Sequence, residues 1–495
     1  MTQSQTRLAA GTAVDEAVPQ LDGAERPGRR LIWIAILVQL FFVYVGKSGT
    51  GALATVDLGP VKVQLVPVFL VLATVAVVVT RFRIRTKACA AQAALTVMIS
   101  IFLAFPITRL TSIPKVLLII AIGAPLLMAL CGLLGGKGNR FAFGTTAVAI
   151  LFAVVSFATL VSGDKGGSVR LLLILGATLP VFLLSTQIGS EGAHRITDVI
   201  VAIAVLQSVI AVVEPFAFPQ HLFGPAQHDS DGNVVPLLNE FFGHGIQRSQ
   251  GTLGHPLPLG LLMVLALALV LRMWLGREVT RWAVVALLLG GLIFAGNRNS
   301  LLLAIALILF FPPKRMTPGR FVAAVILAGI TFVLAIYSGV LSSSALDGFA
   351  ASGSYGHRIA AYQAFGQLLT KQHLFQIFIG NGSASLGRLF AGGLLQTDGF
   401  NVVDNQYLLT LAQGGLISLA ALVFLCLRAL TTADRFLRAA VGSVVVSGLI
   451  FDWMSWTSTA SLCFFVLGVA LTVPRGARTE DRDLEDQNAA TGPCR

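Results

Sequence analysis

Four arginines lie in predicted loops or at the edges of long apolar runs, where a cation is costly without a compensating interaction. They are Arg248, Arg298, Arg358 and Arg388. Arg248 comes a few residues before a run that begins near Pro256, and Arg298 separates two runs. A guanidinium is a planar fork that binds phosphate oxygens in pairs. Several guanidinium groups at one place would suit a diphosphate.

Acid–base candidates occur in the same segments. They are Asp404, His255, His357, His244 and Glu240. A group that activates a hydroxyl must accept its proton within hydrogen-bond reach. Asp404 begins the sequence Asp-Asn-Gln-Tyr directly before an apolar run, so the chain predicts a carboxylate base at a membrane edge.

Three of these positions also have a plain structural interpretation. Arg298 can be a turn residue whose side chain reaches the lipid headgroups. Asp404 can cap the helix that follows it. Arg388 can be a solvated loop charge. The sequence leaves both interpretations of each residue open.

Other chemistry finds little support. His228, Asp229 and Asp231 form a loose polar cluster, but Ser-Asp-Gly-Asn at 230–233 is typical of a solvated turn. The chain has no Walker A sequence, no His-Glu-x-x-His and no nucleophile elbow. Its five cysteines form no Cys-x-x-Cys pair. We therefore expect no metal site and no cofactor.

Composition decides the class of the molecule. The chain has 495 residues, of which 55% are hydrophobic and 12% charged, whereas soluble proteins carry about 25% charged residues. Spans of about 20 apolar residues predict an all-α polytopic membrane protein with about 12 to 14 transmembrane helices. The net charge of +12 does not point to nucleic acid, because most cations fall in cytoplasmic segments if both termini are cytoplasmic.

This threading divides the chain into tails, helical regions and two long loops on the extracytoplasmic side. Aromatic residues in both loops argue against disorder there. Spacing of Arg358, Tyr362, Phe365 and Leu369 predicts an amphipathic helix over about 356–371 at the membrane surface. The predicted regions are 1–28 and 474–495 (disordered cytoplasmic tails), 29–216, 256–341 and 405–473 (transmembrane), and 217–255 and 342–404 (extracytoplasmic loops).

The order of several short motifs resembles the family of O-antigen ligases and Wzy-type O-antigen polymerases. The similar stretches are 248–256, Gly-Asn-Arg-Asn-Ser at 296–300, Arg358 with Gly-Asn-Gly at 380–382, and Asp-Asn-Gln-Tyr-Leu ahead of Gly-Gly-Leu at 414–416. The resemblance covers roughly residues 245–416. The order of these motifs along the chain is more specific than any one of them.

The resemblance implies a GT-C-like glycosyltransferase at the outer face of a bacterial cytoplasmic membrane. Its donor would be a glycan on undecaprenyl pyrophosphate, its acceptor a glycan or a lipid-linked hydroxyl compound, and no metal would be needed. Arg248, Arg298 and Arg358 would bind the diphosphate, and Asp404 would act as base. Further contacts with substrate are expected from five residues: His255, His357, Arg388, Asn405 and Tyr407.

One departure from the family pattern bears on the reaction. Ligases typically carry His-Asn where this chain has Asp404-Asn405, so the polymerase branch is favoured and a ligase is close behind. A different class stays open, namely a flippase for lipid-linked oligosaccharides or a secondary transporter. Transporters place carboxylates near the midplane, whereas Asp198, Glu214 and Asp452 lie near the ends of predicted spans.

Overall fold

Helices make up most of the regular structure in a computed structural model of the chain. The longer segments that the structure describes are 87–103, 143–162, 178–217, 245–272, 278–310, 353–395 and 402–472. Shorter described pieces are 32, 35–37, 39, 55–57, 62–64, 174–175, 227–228, 234–235, 237–239 and 241–242.

Residues 178–185 are helical, and twelve further α-helices have both ends defined in the described segments. They are α1 (Lys87–Phe102), α2 (Phe143–Ser162), α3 (Gly189–Ala217), α4 (Pro256–Arg272), α5 (Glu278–Ala295), α6 (Arg298–Phe310), α7 (Gly353–Thr370), α8 (Leu374–Ile379), α9 (Leu386–Ala391), α10 (Gln406–Thr432), α11 (Arg435–Gly448) and α12 (Thr457–Thr472). Two antiparallel pairs of short strands accompany them, Thr55–Asp57 with Lys62–Gln64 and Gln227–His228 with Val234–Val235.

Three of the described helices are long and apolar enough to cross a membrane. They comprise Gly144–Ser162, Gly189–Ala217 and Gln406–Thr432, with 19, 29 and 27 residues. Six further apolar helices have between 10 and 17 residues. In a helix the backbone N–H and C=O groups hydrogen-bond to one another, whereas hydrocarbon offers them no partner. The prediction of an all-α membrane protein is confirmed; the number of spans and the sidedness stay predictions.

Three helices are enclosed on all sides over most of their described side chains. Residues 91–102 of α1, residues 258–271 of α4 and residues 457–470 of α12 are all buried. A helix that is apolar on every side is suited to such a position. Residues of these three helices and of the other long helices form one large core cluster.

A second, smaller cluster fixes the helices α7 and α9 and the residue Val403 against the start of α10. It is formed by ten residues, Ala361, Ala364, Leu368, Leu389, Leu395, Val403, Leu408, Leu409, Leu411 and Ala412. The predicted helix over 356–371 is present as α7, and the face that packs on the protein consists of Ala361, Ala364 and Leu368 with Phe365 partly buried against them. Tyr362 and Leu369, which belong to the predicted apolar stripe, are exposed.

Gly415 interrupts α10 with a φ of +63° and a ψ of −168°. The backbone of α8 lies against this break: a Cβ at Gly415 would be 2.3 Å from the carbonyl of Phe378. The amides of Asn381 and Gly382 donate to the carbonyls of Ala412 and Gln413, at 3.0 and 2.9 Å. Asn381 and Gly382 therefore pair with the backbone of α10 at its break, and Gly380 allows the close approach, because a Cβ there would be 2.4 Å from the carbonyl oxygen of Gln413.

Candidate functional site

Arg248 lies on the segment 245–250, which passes the end of α5. Its amide donates to the carbonyl of Leu237 at 2.7 Å, and its Nε donates to the carbonyl of Leu238 at 3.1 Å. Its Cγ and Cδ lie beside Gly296, since a Cβ at that glycine would be 2.9 and 3.2 Å from them. Burial lowers the pKa of the Arg248 guanidinium. An arginine guanidinium is not deprotonated in proteins, so Arg248 keeps its charge.

Arg248 thus contacts the turn that leads into Arg298. Gly296 adopts a φ of +63° in this turn, which a glycine adopts readily. Asn297 then acts as the N-cap of α6, with its Oδ1 accepting from the amide of Ser300 at 3.3 Å. Arg298 is the first residue of α6 and is half-buried. The helix dipole disfavours a cation there by about 0.3–1 kcal/mol, so helix stability does not explain this arginine.

Asn239 holds the end of α5 in place, and sequence reasoning missed it. Its side chain is fully buried. Its Nδ2 donates to the carbonyls of Ile293 and Phe294, at 2.9 Å each, and its Oδ1 accepts from the amide of Phe241 at 3.0 Å. A Cβ at Gly296 would also be 3.1 Å from its Oδ1. Asn239 therefore positions the turn before Arg298.

Glu214 holds the segment that follows Arg248. Its side chain, on α3, is 1% exposed, and its Oε2 accepts from the amides of Gln250 and Gly251 at 2.8 and 2.7 Å. In the sequence this carboxylate bears only on the transporter alternative, against which its place near the end of a predicted span argues. A glutamate near the end of an apolar run was a usable signal, because a charge buried at such a place needs hydrogen-bond partners.

His255 connects the start of α4 to the start of α12. Its Nδ1 accepts from the amide of Leu257 at 3.3 Å, and its ring lies 5.1 Å from the ring of Trp456. One turn later α4 meets α6 closely, because a Cβ at Gly260 would be 2.6 Å from Nδ2 of Asn297. The first turns of α4, α6 and α12 are therefore neighbours.

Asn405, not Asp404, caps α10. The Oδ1 of Asn405 accepts from the amides of Tyr407 and Leu408 at 3.0 Å each, and its Nδ2 donates to the carbonyl of Leu449 at 3.1 Å. The alternative that Asp404 forms this cap is wrong by one residue. Asp404 is half-buried and precedes the cap. Substrate contact by Asn405 stays a prediction, and its observed bonds are structural.

Two further residues attach the first turn of α10 to its neighbours. The Oε1 of Gln406 accepts from the amide of Met454 at 2.7 Å, just before α12. The hydroxyl of Tyr407 donates to the carbonyl of Val445 on α11 at 2.9 Å. Tyr407 is half-buried, and its predicted contact with substrate is untested.

Direct contacts therefore join the N-termini of α4, α6, α10 and α12 at one end of the bundle, which we call the site end. Arg248, Arg298, His255 and Asp404 all lie there. The first amides of a helix are unpaired within it and carry a partial positive charge. Side chains already accept from one or two of these amides in α4, α6 and α10. The partial positive charge of the four termini, together with two arginines, still favours an anionic ligand at the site end.

The remaining predicted residues lie elsewhere or outside what can be described. His357 and Arg358 belong to the first turns of α7, and their side chains are outside the described part of the structure. Glu240 and His244 also lie outside the described residues. Arg388 is exposed on α9, a helix that packs into the second cluster through Leu389.

A small cavity lies beside the first turns of α10. Its volume of about 20 Å³ is enough for a water molecule. The polar side chains that line it are those of Gln406, Thr410, Gln413, Ser383 and Ser455. The cavity is too small for a sugar, and it places polar groups behind the cap of α10.

No metal centre emerges from the described residues, since none of their histidine, cysteine, aspartate or glutamate side chains form a group of three able to hold an ion. Comparisons with known proteins add no family: no protein-family model and no curated protein matches the chain.

Proposed function

We propose that the chain is a membrane glycosyltransferase that polymerises a glycan carried on undecaprenyl pyrophosphate, with transfer by a ligase as the close variant. The observation that supports this best is the contact of Arg248 with the turn before Arg298, at an end of the bundle where four helix N-termini meet. A diphosphate is the anion that this combination would suit, because guanidinium groups and backbone amides both donate to phosphate oxygens.

The proposed reaction requires few groups. The acceptor hydroxyl attacks the anomeric carbon of the carrier-linked sugar, and its proton passes to the Asp404 carboxylate. The bond between that carbon and the diphosphate oxygen breaks, and its electron pair leaves with the diphosphate. Arg248 and Arg298 stabilise the charge that develops on this leaving group, in surroundings where water is partly excluded. Arg358 would complete the arginine set, with His255 and His357 in contact with substrate. Contact of Arg388, Asn405 and Tyr407 with substrate stays a prediction, and the side chains of Asn405 and Tyr407 bond backbone groups.

The same proposal fixes the setting. The enzyme would be GT-C-like, with 12 to 14 spans and both termini in the cytoplasm of a bacterium. The site end would face outward from the cytoplasmic membrane, where lipid-linked glycans are assembled. The positive-inside distribution of lysine and arginine supports this orientation.

A transporter or flippase is the alternative, and the break in α10 at Gly415 favours it, because transporters bind substrates at broken helices. However, the carbonyls of Ala412 and Gln413 accept from the amides of Asn381 and Gly382. The break is thus sealed by the protein's own backbone, so it offers these carbonyls poorly to a transported ion or sugar.

The test is an assay of the purified protein with an undecaprenyl-pyrophosphate-linked oligosaccharide. We expect longer or transferred glycan with release of the carrier diphosphate. Arg298→Lys keeps a cation but removes the fork, and we expect a loss of at least tenfold in turnover. Arg248→Ala and Asp404→Asn should reduce turnover further.

Arg195→Ala is the matched control, because Arg195 lies on α3 in an ion pair with Glu191 and outside the site end. Its activity should equal that of the unaltered chain. If folded Arg248→Ala and Arg298→Lys both keep full activity, the proposed site is refuted. Movement of labelled substrate across sealed vesicles without a new glycosidic bond would instead support the transporter.

A further inference from the structure

The short helix α8 exposes a large apolar surface although it lies in a predicted extracytoplasmic loop. The side chains of Leu374, Phe375 and Phe378 are 74%, 50% and 48% exposed. No residue of α8 is fully buried. A soluble loop rarely exposes three large apolar side chains in one turn and a half, because contiguous patches of this kind bind another apolar phase.

This surface continues the outer face of α2, one of the three helices long enough to span a membrane. Phe157, Leu160 and Val161 of α2 are 50%, 73% and 58% exposed. Phe157 and Phe375 make an edge-to-face contact with ring centroids 6.5 Å apart. Because the exposed face of an apolar spanning helix contacts lipid, the face of α8 beside it lies next to the same lipid.

Charge follows the same boundary. No acidic or basic residue occurs from 374 to 387. Lys371 and His373 precede this stretch and Arg388 ends it, and all three are exposed. Cations at the margins of an apolar segment suit a helix that lies in the membrane interface, because they reach the headgroups while the apolar face is buried.

The backbone next to α8 is also arranged for a dry environment. Asn381 and Gly382 pair with the carbonyls of Ala412 and Gln413 that the break at Gly415 would leave open. The Nδ2 of Asn381 donates to the Ala412 carbonyl as well, at 3.1 Å. Irregular backbone at membrane depth is tolerated where protein satisfies it, whereas in water such sealing is not required.

We propose that α8 is inserted into the hydrocarbon of one leaflet at the site end, so that Leu374, Phe375 and Phe378 contact lipid chains rather than water or protein. The segment 371–388 then acts as an interfacial anchor. This anchor includes Asn381 and Gly382, whose amides bond to the carbonyls of α10 beside the break at Gly415. These contacts support the insertion of α8 whether or not the chain is an enzyme.

Spin labels at single cysteines test the insertion. Cys89, Cys131 and Cys494 are replaced by serine, and the buried Cys426 and Cys463 are kept. Labels are attached to Phe375→Cys and, separately, to Phe378→Cys or Leu374→Cys. The protein is then placed in vesicles of phosphatidylethanolamine and phosphatidylglycerol. Power saturation compares accessibility to oxygen, which enters hydrocarbon, with accessibility to a water-soluble nickel chelate.

Labels at 375, 378 and 374 should show an oxygen-to-nickel ratio several-fold above that of Lys371→Cys and equal to that of Leu160→Cys on α2. Two results would overturn the proposal. A ratio like that of position 371 would place α8 no deeper than the headgroups. Protection from both reagents would mean that protein, including a second copy of this chain, covers the surface. Three neighbouring positions keep the test decisive if one label disturbs folding.

Discussion

Replacing Asn239 tests whether its side chain stabilises the turn before Arg298 at the site end. The Asn239 side chain makes three hydrogen bonds, two as donor through Nδ2 and one as acceptor through Oδ1. A neutral hydrogen bond contributes about 1 kcal/mol net, so Asn239→Ala should lower the free energy of unfolding by about 2–3 kcal/mol. The loss stays moderate because the two carbonyls keep other partners, the amides of Gly296 and Ser249.

Asn239→Asp should be the worse variant although it preserves shape. Its second carboxylate oxygen would stand 2.9 Å from two carbonyl oxygens that now accept from Nδ2. An acceptor facing acceptors in a buried place costs more than an empty one. The expected order of stability is therefore Asn, then Ala, then Asp. Lower pH should narrow the gap between Asp and Ala, because a protonated carboxyl donates one hydrogen bond.

The measurement is the apparent unfolding temperature in detergent, followed by intrinsic fluorescence at several pH values. Gln363→Glu is the matched control, since it also replaces an amide by a carboxylate but at an exposed position of α7; it should unfold like the unaltered chain. If Asn239→Asp is as stable as Asn239, the hydrogen bonds to α5 do not hold the turn before Arg298, and the argument fails.

Three further substitutions probe other contacts through the same unfolding measurement. Gly415→Ala would put a Cβ 2.3 Å from the Phe378 carbonyl at a positive φ and should destabilise strongly, whereas Gly366→Ala, with open space around it, should be neutral or stabilising; equal effects would contradict the backbone contact. Asn405→Ala should cost about 1–2 kcal/mol as a lost N-cap, and an unchanged unfolding temperature would exclude the cap. Glu214→Gln should retain more stability than Glu214→Ala, because an amide oxygen still accepts, and the reverse order would argue against those bonds.

The long helices could be predicted because hydrocarbon leaves the chain little choice. Apolar runs at 141–162, 196–216 and 405–428 correspond to helices Phe143–Ser162, Gly189–Ala217 and Gln406–Thr432. The polar extension of α3 to Gly189 was missed, since a run defined by apolar residues ends where water begins but a helix does not. The break in α10 was missed too. Glycine is frequent in membrane helices, so the pair Gly414-Gly415 alone does not predict a break. The break follows from the backbone of α8, which packs against Gly415.

The candidate site was predictable in part. Arg248 and Arg298 were selected because each is a cation beside apolar runs, and the structure brings Arg248 against the turn before Arg298. This contact could not be derived from spacing, since it depends on Gly296 having no side chain. Asn239 gave no signal, because its partners lie 54 and 55 residues away along the chain. The cap of α10 was misplaced by one residue, because Asp and Asn cap about equally well.

These contacts narrow the set of residues on which a chemical hypothesis can rest. Polar side chains at the end of a membrane bundle look catalytic in sequence, but many must serve backbone groups that have no water to bind. Five side chains at the site end do so: Asn239, Glu214, Asn297, Asn405 and Gln406. Arg248 and His255 also bond backbone groups, through Nε and Nδ1. Residue type, and not freedom from such bonds, therefore concentrates the hypothesis on Arg248, Arg298, His255 and Asp404 in the described part of the site end. A diphosphate leaving group requires cations and a base, and these are the residue types that remain.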